Sequence, residues 1–369
     1  MTDTNDDLRA LHEARGATFG EVAGRDVPLH YGDAGAEYRA VREGAGVADR
    51  RDRARIRMWG KDPARMLHGL VTNDVLKAAP GHGVYAAMLT PKGRMIAELR
   101  AFRRDGGELL LEIPREALAG TVDHLRKFVP PMFARWADAT DEVGELGVYG
   151  PESAALLGRV LGVELPEGED RFVEVDFAGA PVLVAATGYV GVAGADLFAP
   201  TAVLAALWTA LVDGGARPVG LDTVDTLRIE AGRPRFGAEL SAEVIPTEAY
   251  EELGMMPRAI SFSKGCYTGQ EVIVRIAHRG HVNRHLRGFL LPDGELPAAG
   301  TPLFNPETGR EIGKVTSAVF SPLRGGPVAI GFARREIEPG TEVRVGASDG
   351  AVATVVRLPF TREDGDAGE

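Results

Sequence analysis

The chain of 369 residues contains a single cysteine and is short of positive charge, with 42 Lys and Arg against 53 Asp and Glu. One cysteine cannot form an internal disulfide, which fits a reducing cytoplasm. The net charge of −11 argues against direct nucleic-acid binding, because phosphate contacts require a basic face. No apolar run approaches the roughly 18 residues of a membrane span. Residues 1–7 are acidic and polar, unlike a secretory signal. The sequence therefore predicts a cytoplasmic protein without a membrane partner.

The chain is long enough for two or three domains, and its apolar content of 44% is ordinary for a globular protein. A repeat of strands and helices covers residues 54–139 and 144–219. Both halves read β-α-β-β-(β)-α-β, the order of ferredoxin-like folds. Asp62 and Pro63 mark one helix start, as an N-cap followed by a first-turn proline. Two such units packed together would leave a cleft between their sheets.

After Arg284 the pattern changes to short apolar runs separated by Pro and Gly turns, without a helical period. This pattern predicts a C-terminal β-barrel over residues 284–361, followed by a flexible acidic tail at 362–369. The predicted fold class is α+β. It consists of two ferredoxin-like α+β units, with residues 8–53 and 220–283 packing on them, and the barrel.

The densest local signal surrounds the only cysteine, in residues 259–275. We expect a short strand, a turn bracketed by Gly265 and Gly269, and a helix that begins near Gly269. Cys266 would then lie just ahead of a helix N-terminus and two residues from the Lys264 ammonium, and both groups favour the thiolate. The two glycines would let a ligand approach the backbone closely. The alternative for a lone cysteine is a small buried core residue.

Metal sites are not predicted. An iron–sulfur cluster needs about four protein ligands, and Cys266 has no second cysteine to join it, so any cluster role would need a partner's ligands. His278, His281 and His285 are close in sequence, but Gly280 interrupts any helix between them. Their spacing therefore does not place them on one face.

Arg53, Arg55 and Arg57 alternate with apolar residues, so one face of a predicted strand carries three guanidinium groups. This face is either simply solvated or a basic wall for an acidic ligand, since Arg binds carboxylates and phosphates bidentately.

The octapeptide Lys-Gly-Cys-Tyr-Thr-Gly-Gln-Glu at 264–271 resembles the signature of the YgfZ family. These are folate-binding proteins related to the glycine-cleavage T-protein, whose own branch lacks the octapeptide. Residues 37–42, 70–75 and 221–232 resemble motifs shared by the wider family, and the region after Arg284 resembles its barrel. The resemblance covers nearly the whole chain.

The resemblance implies a T-protein-like ring in which residues 8–283 bind tetrahydrofolate in a central cavity. It also implies a role in assembling or repairing iron–sulfur clusters, with assembly proteins or client enzymes such as tRNA-modifying enzymes as partners. It makes Cys266 the functional centre with Lys264 beside it, within a motif completed by Gly265, Tyr267, Gly269, Gln270 and Glu271. The candidate folate-binding residues are Tyr85 and Tyr189 for ring stacking, Asp196 for the pterin, Arg228 for a carboxylate, and Asn73. The face with Arg53, Arg55 and Arg57 is a candidate for holding the glutamyl tail of folate.

Two departures from the T-protein pattern limit what the resemblance carries over. Ala97 occupies the position of that branch's catalytic aspartate, and residues 189–192 read Tyr-Val-Gly-Val where the branch has Tyr-Thr-Gly-Glu. These departures favour a folate-dependent accessory factor for iron–sulfur proteins. The alternatives are a one-carbon enzyme, either an aminomethyltransferase or a demethylase, and a binding module in which folate is only structural.

Overall fold

The structure is a computed structural model that describes residues 4–362. The chain divides into two compact units. Unit 1 comprises the residues up to Ala86 and Glu98–Asp225, and unit 2 comprises Ala87–Ala97 and the residues from Thr226 onward. The predicted flexible tail lies outside the described residues, apart from Arg362. No helix in 4–362 combines the length and the apolar character that crossing a membrane requires.

The strands of the described chain begin near its N-terminus and continue into the C-terminal barrel. They are β1 (Thr18–Val22), β2 (Arg25–His30), β3 (Gly46–Asp49), β4 (Arg53–Trp59), β5 (Val84–Leu89), β6 (Met95–Arg103), β7 (Leu109–Pro114), β8 (Arg135–Asp138), β9 (Val143–Tyr149), β10 (Phe172–Phe177), β11 (Ala180–Thr187), β12 (Gly194–Pro200), β13 (Arg217–Val219), β14 (Arg284–Leu290), β15 (Pro302–Phe304), β16 (Glu311–Ser321), β17 (Gly326–Arg334), β18 (Glu342–Val345) and β19 (Ala351–Val356).

The helices lie mostly between the strands of unit 1 and in the connection to the barrel. They are α1 (Thr4–Glu13), α2 (Ala34–Glu43), α3 (Pro63–His68), α4 (Leu118–Phe128), α5 (Ser153–Leu161), α6 (Thr201–Asp213), α7 (Leu221–Glu230), α8 (Pro246–Tyr250), α9 (Met256–Ala259) and α10 (Gln270–Arg279). Helix α3 begins where the sequence predicts, because the Asp62 carboxylate accepts a hydrogen bond from the Arg65 N–H and Pro63 fills the first turn.

Two separate sheets lie wholly or mostly in unit 1. One sheet has the order β5-β6-β7-β4-β8, and the other has the order β10-β11-β12-β9-β3-β13. Strand β3 lies inside the second sheet, antiparallel to β9 and parallel to β13. The sequence pattern does not predict this strand, because four residues are too few to show a period. The second sheet therefore includes a strand that precedes the whole first sheet in the chain.

Alternation along the strands gives the second sheet two different faces. Leu146 and Leu197 belong to a large apolar core that includes α1, α5 and α6. The opposite face meets the first sheet, where Phe102 packs edge-on against Phe172 with ring centroids 5.5 Å apart. Phe198 contributes to the same cluster. The two sheets of unit 1 are therefore joined by an apolar contact, beside which the charged side chains of the next subsection lie.

In unit 2, the six strands β14-β17-β16-β15-β18-β19 form a closed barrel, and β14 also pairs with β19. The predicted α+β class with a C-terminal barrel is confirmed. The short strand expected ahead of the Cys266 turn is wrong: α9 ends at Ala259, and residues 260–269 form neither strand nor helix. Helix α10 begins at Gln270, as the sequence predicts.

Candidate functional site

A layer of buried ion pairs lies between the two sheets of unit 1. The Glu112 carboxylate on β7 accepts hydrogen bonds from Arg53 of β4 and from Arg100 of β6, the latter at 2.6 Å. Arg100 also reaches across to β12, where its Nη2 lies 2.7 Å from the Asp196 carboxylate. All four side chains are buried. Each charge therefore has an opposite charge beside it, as burial requires.

The layer continues through a tyrosine toward a less buried edge. The Tyr149 hydroxyl donates to Asp196 at 2.7 Å and accepts from Arg50 at 2.8 Å. Arg50 also binds Asp52 through two hydrogen bonds, and its guanidinium lies 5.4 Å from the ring centroid of Tyr189. Tyr189 is only half-buried. The aromatic ring at this edge is therefore held against a fixed cation.

A second tyrosine closes the other end of the layer. The Tyr85 hydroxyl donates to Glu98 at 2.7 Å, and the second oxygen of Glu98 accepts from Arg53 at 3.2 Å. The amide of Asn73 donates to the Tyr85 carbonyl oxygen at 2.9 Å. The structure thus brings four of the predicted folate-binding residues to one network, namely Tyr85, Tyr189, Asp196 and Asn73.

Glu145 is the exception in this layer. It is fully buried on β9, yet neither carboxylate oxygen has a hydrogen-bond partner within residues 4–362. The nearest cations are the Nη1 of Arg55 at 3.7 Å and the Nη2 of Arg100 at 3.9 Å. Burial, with the carboxylates of Glu112 and Asp196 nearby, raises the pKa of Glu145 well above its usual value. Glu145 can therefore hold a proton inside an otherwise ionised layer.

Glu112 behaves in the opposite way. Burial alone would raise its pKa, but the charges of Arg100 and Arg53 hold that pKa well below the usual range. The layer therefore contains two buried glutamates of opposite character. One accepts hydrogen bonds as a carboxylate, and the other is placed to donate one as a carboxylic acid.

Sequence reasoning missed most of the charged layer, although a signal for it existed. Glu112 and Glu145 each interrupt a strand whose other residues are apolar or small. A single charge inside such a strand predicts a buried partner, because an unpaired buried charge is too costly. Arg50 and Tyr149 carried no comparable signal.

The basic wall expected from Arg53, Arg55 and Arg57 is wrong. Arg53 and Arg55 are buried, and Arg55 donates to the carbonyl oxygens of Val143 and other residues. Arg57 pairs with Glu108 at 3.0 Å. All three guanidinium groups already have partners in unit 1, so they do not form a free surface for folate's glutamyl tail.

In unit 2, the motif segment 264–271 exposes its thiol. Cys266 is exposed, which excludes the buried core residue that was the alternative. Lys264 is buried with its Nζ 5.0 Å from the ring centroid of Tyr267. Because α10 begins four residues after Cys266, the thiol lies outside the first turn, where a helix dipole acts. Gln270 is half-buried, and Glu271 is exposed.

The two glycines of the segment have different roles. Gly269 has a φ of +83°, and a Cβ there would lie 2.6 Å from the carbonyl oxygen of Thr90. Gly269 is therefore required by the close approach of two backbones inside unit 2. A Cβ on Gly265 would meet nothing within 4 Å. Tyr267 is buried, its hydroxyl has no partner in the described chain, and burial raises its pKa to about 12.

Arg228 has a different partner from the one expected. It is buried in unit 2, where it donates to Glu239 at 2.5 Å and to the Ser317 hydroxyl of the barrel at 2.9 Å. Its guanidinium therefore joins α7 to the barrel, and the expected role with a folate carboxylate is not supported.

An open cleft of about 740 Å³ lies beside α10 in unit 2. Its lining includes His281, His285, Glu251 and Arg335. The described residues contain no grouping of His, Cys, Asp and Glu that suits a metal ion. His281 and His285 therefore line a cleft that contains both acidic and basic side chains.

Comparison with known families and structures identifies the class to which this fold belongs. The GCVT N-terminal domain matches residues 8–259, and the glycine cleavage T-protein C-terminal barrel domain matches residues 284–361. The crystal structure of the glycine cleavage system aminomethyltransferase T from Bartonella henselae superposes with a TM-score of 0.86 and 25% identity, covering 96% of this chain and 97% of that one. The fold is therefore T-protein-like.

Two relatives are similar in sequence over nearly the whole length of this chain. An aminomethyltransferase of Rubrobacter xylanophilus is 32% identical, covering 95% of this chain and 92% of that protein. An aminomethyltransferase of Saccharopolyspora erythraea is 33% identical, covering 97% of this chain and 98% of that protein. The chain belongs to the glycine-cleavage T-protein family.

Proposed function

We propose that this protein is a tetrahydrofolate-dependent one-carbon protein of the aminomethyltransferase type. The observation that supports this most is its similarity, over 95–97% of its length, to two relatives named aminomethyltransferase. The proposal favours the one-carbon enzyme over the accessory factor as the first hypothesis to test. Reduced folate would supply the nitrogen that carries the one-carbon unit, and the protein would bind and orient it.

The residues of unit 1 fit a pterin ring. A pterin presents hydrogen-bond donors and acceptors side by side, so it suits a group that can both donate and accept. Glu145 is such a group, because its pKa is raised and its oxygens accept no hydrogen bond in the described chain. Tyr189, half-buried against Arg50, would stack on an aromatic ring. Asp196 and Tyr85 would hold the surrounding charges in position.

Ala97 restricts the proton transfers that the protein can perform. Its side chain is buried and apolar, so it cannot act as an acid or base. The adjacent Glu98 is a carboxylate held by Tyr85 and Arg53. In this proposal the Tyr85–Glu98 pair, next to Ala97 in the sequence, donates or accepts the proton that the reaction transfers there.

A second candidate function is an accessory role in iron–sulfur cluster assembly or repair, as a member of the YgfZ branch. The exposure of Cys266 within the motif segment 264–271 favours it, as does Ala97. Cys266 would contact a cluster, an assembly protein or a client enzyme. Both functions suit the cytoplasm, where a free exposed thiol stays reduced.

One experiment separates these proposals. The purified protein is titrated with tetrahydrofolate by calorimetry, and then incubated with an aminomethyl-loaded carrier protein of the glycine-cleavage system while methylene-tetrahydrofolate is measured. The one-carbon proposal expects binding and product, with both weakened in Asp196→Asn. Absence of tetrahydrofolate binding would contradict both functions.

Binding without turnover would favour the accessory role. In that case Cys266→Ser should keep folate affinity and lose rescue of iron–sulfur enzyme activity in cells lacking the protein. Ser263→Ala, a neighbouring exposed change, is the matched control and should rescue fully.

A further inference from the structure

Unit 1 carries a concentrated apolar surface that the proposed function does not use. Four side chains form it: Trp59, Phe128, Met132 and Phe133, with Met132 76% exposed and the others 36–39% exposed. We name it the Trp59 patch. Only eight large hydrophobic side chains are exposed within residues 4–362, and half of them lie here. Exposed apolar groups clustered in this way mark an interaction surface, whereas isolated ones need no explanation.

Backbone contacts bring the segments that carry these four side chains together. Trp59 is paired with Arg135 across β4 and β8, and the Asp62 N–H donates to the Phe133 carbonyl oxygen at 3.0 Å. The Phe133 N–H in turn bonds to Pro130. The loop that carries Met132 and Phe133 is therefore fixed beside the end of β4, and α4 brings Phe128 to the start of the same loop.

Free cations accompany this patch. The exposed side chains of Lys61, Arg65, Lys127 and Arg135 lie on the same strand, helix and loop segments. None of the four forms an ion pair with a carboxylate in the described part of the chain. Lys127 instead places its Nζ 5.1 Å from the ring centroid of Phe128. The segments that carry the four apolar side chains therefore also carry four cations without an ion pair within residues 4–362, although the net charge of the chain is −11.

We propose that the Trp59 patch is the docking site for an acidic partner protein. The apolar side chains would fill a shallow apolar surface on the partner, and the four cations would pair with carboxylates around it. Charge complementarity favours an acidic partner, and it disfavours a symmetric dimer in which this patch meets the same patch of a second copy, because like charges would then face each other. Trp, Phe, Met and Arg are also the residues enriched at the centres of protein interfaces.

The experiment places a photo-crosslinking p-benzoylphenylalanine at Phe133 of the full chain in its own cells, with Phe320 as the control position. Phe320 is 56% exposed on the barrel, in unit 2. The protein captured at position 133 is identified by mass spectrometry and purified, and its affinity for the unmodified chain is measured at several salt concentrations. Met132→Ser/Phe133→Ser, Lys127→Glu/Arg135→Glu and Phe320→Ser are compared with the wild type. Urea unfolding verifies that each variant is folded.

We expect an acidic protein captured at 133 and not at 320. Both patch variants should weaken its binding at least tenfold, binding should fall with salt, and Phe320→Ser should leave it unchanged. Capture of no protein, of a second copy of this chain, or of a partner whose binding is insensitive to salt and to the patch variants would overturn the proposal. Binding to phosphatidylglycerol vesicles that depends on Met132 and Phe133 would also overturn it. Tetrahydrofolate titration of the same variants tests the one-carbon function separately.

Discussion

The charged layer of unit 1 and the motif segment 264–271 of unit 2 differ in how their chemical groups relate to the fold. In the layer, most groups are buried and bonded to several others. In the motif segment, the thiol is exposed, and only Gly269, Lys264 and Tyr267 are built into the structure. The side chains of the layer are therefore part of what holds the fold together, whereas the Cys266 side chain contributes little to it.

The largest effect that tests this contrast comes from Glu112→Ala. Removing this carboxylate leaves Arg53 and Arg100 buried without their main partner, which costs about 3–5 kcal/mol in similar buried pairs. Urea unfolding at neutral pH measures the loss. Glu271→Ala, in the exposed part of the motif, is the control and should change stability by less than about 0.5 kcal/mol. Equal losses of stability in the two variants would show that the charged layer and the motif segment do not differ in this way.

The two glycines of the motif segment give the next effect. Gly269→Ala forces an L-residue into a φ of +83° and brings its Cβ against the Thr90 carbonyl, so we expect a loss of about 1–3 kcal/mol. Gly265→Ala meets open space and should be nearly neutral. Unfolding midpoints of both variants check this, and a stable Gly269→Ala protein would show that the backbones can separate without cost.

The raised pKa of Glu145 predicts that the stability of the protein depends on pH. Because its pKa is raised in the folded state, the native protein binds this proton more tightly than the unfolded chain does. Stability should therefore fall as the pH rises above about 4.3, the ordinary glutamate value, by at most about 1.4 kcal/mol per pH unit. Glu145→Gln removes this contribution. Glu112, whose pKa is lowered, acts in the opposite direction and only at lower pH.

Urea unfolding of the wild type and Glu145→Gln at pH 5, 6, 7 and 8 tests the point. We expect the free energy of unfolding of Glu145→Gln to increase relative to that of the wild type as the pH rises. A difference between the two that stays constant across this range would mean that Glu145 does not titrate there.

The smallest effect on stability should come from Cys266→Ser. The exposed thiol buries little area, so the free energy of unfolding should change by less than about 0.5 kcal/mol. The native wild type should react with one equivalent of a thiol reagent without denaturant. A thiol that reacts only after unfolding would return Cys266 to a structural role.

Local chemistry made part of this architecture predictable. Asp62 and Pro63 mark the start of α3 through contacts between residues 62 and 65. The loss of helical period after Arg284 predicts the barrel. The charged layer depends instead on side chains distant in sequence, such as Arg100 and Asp196, which meet only because two sheets face each other. The family resemblance suggests a ligand contact for Arg228, whereas in the structure its guanidinium binds Glu239, eleven residues further along the chain.

Strand β3 has a consequence for how the chain is made. Gly46–Asp49 is an interior strand of the second sheet, and its neighbours β9 and β13 are synthesised roughly 100 and 170 residues later. At about 5–20 residues per second on the ribosome, this segment waits several seconds or more with unpaired backbone groups before its first neighbour emerges. Nascent chains that stop between Trp59 and Val143 should therefore hold β3 in a form that chaperones and proteases can recognise.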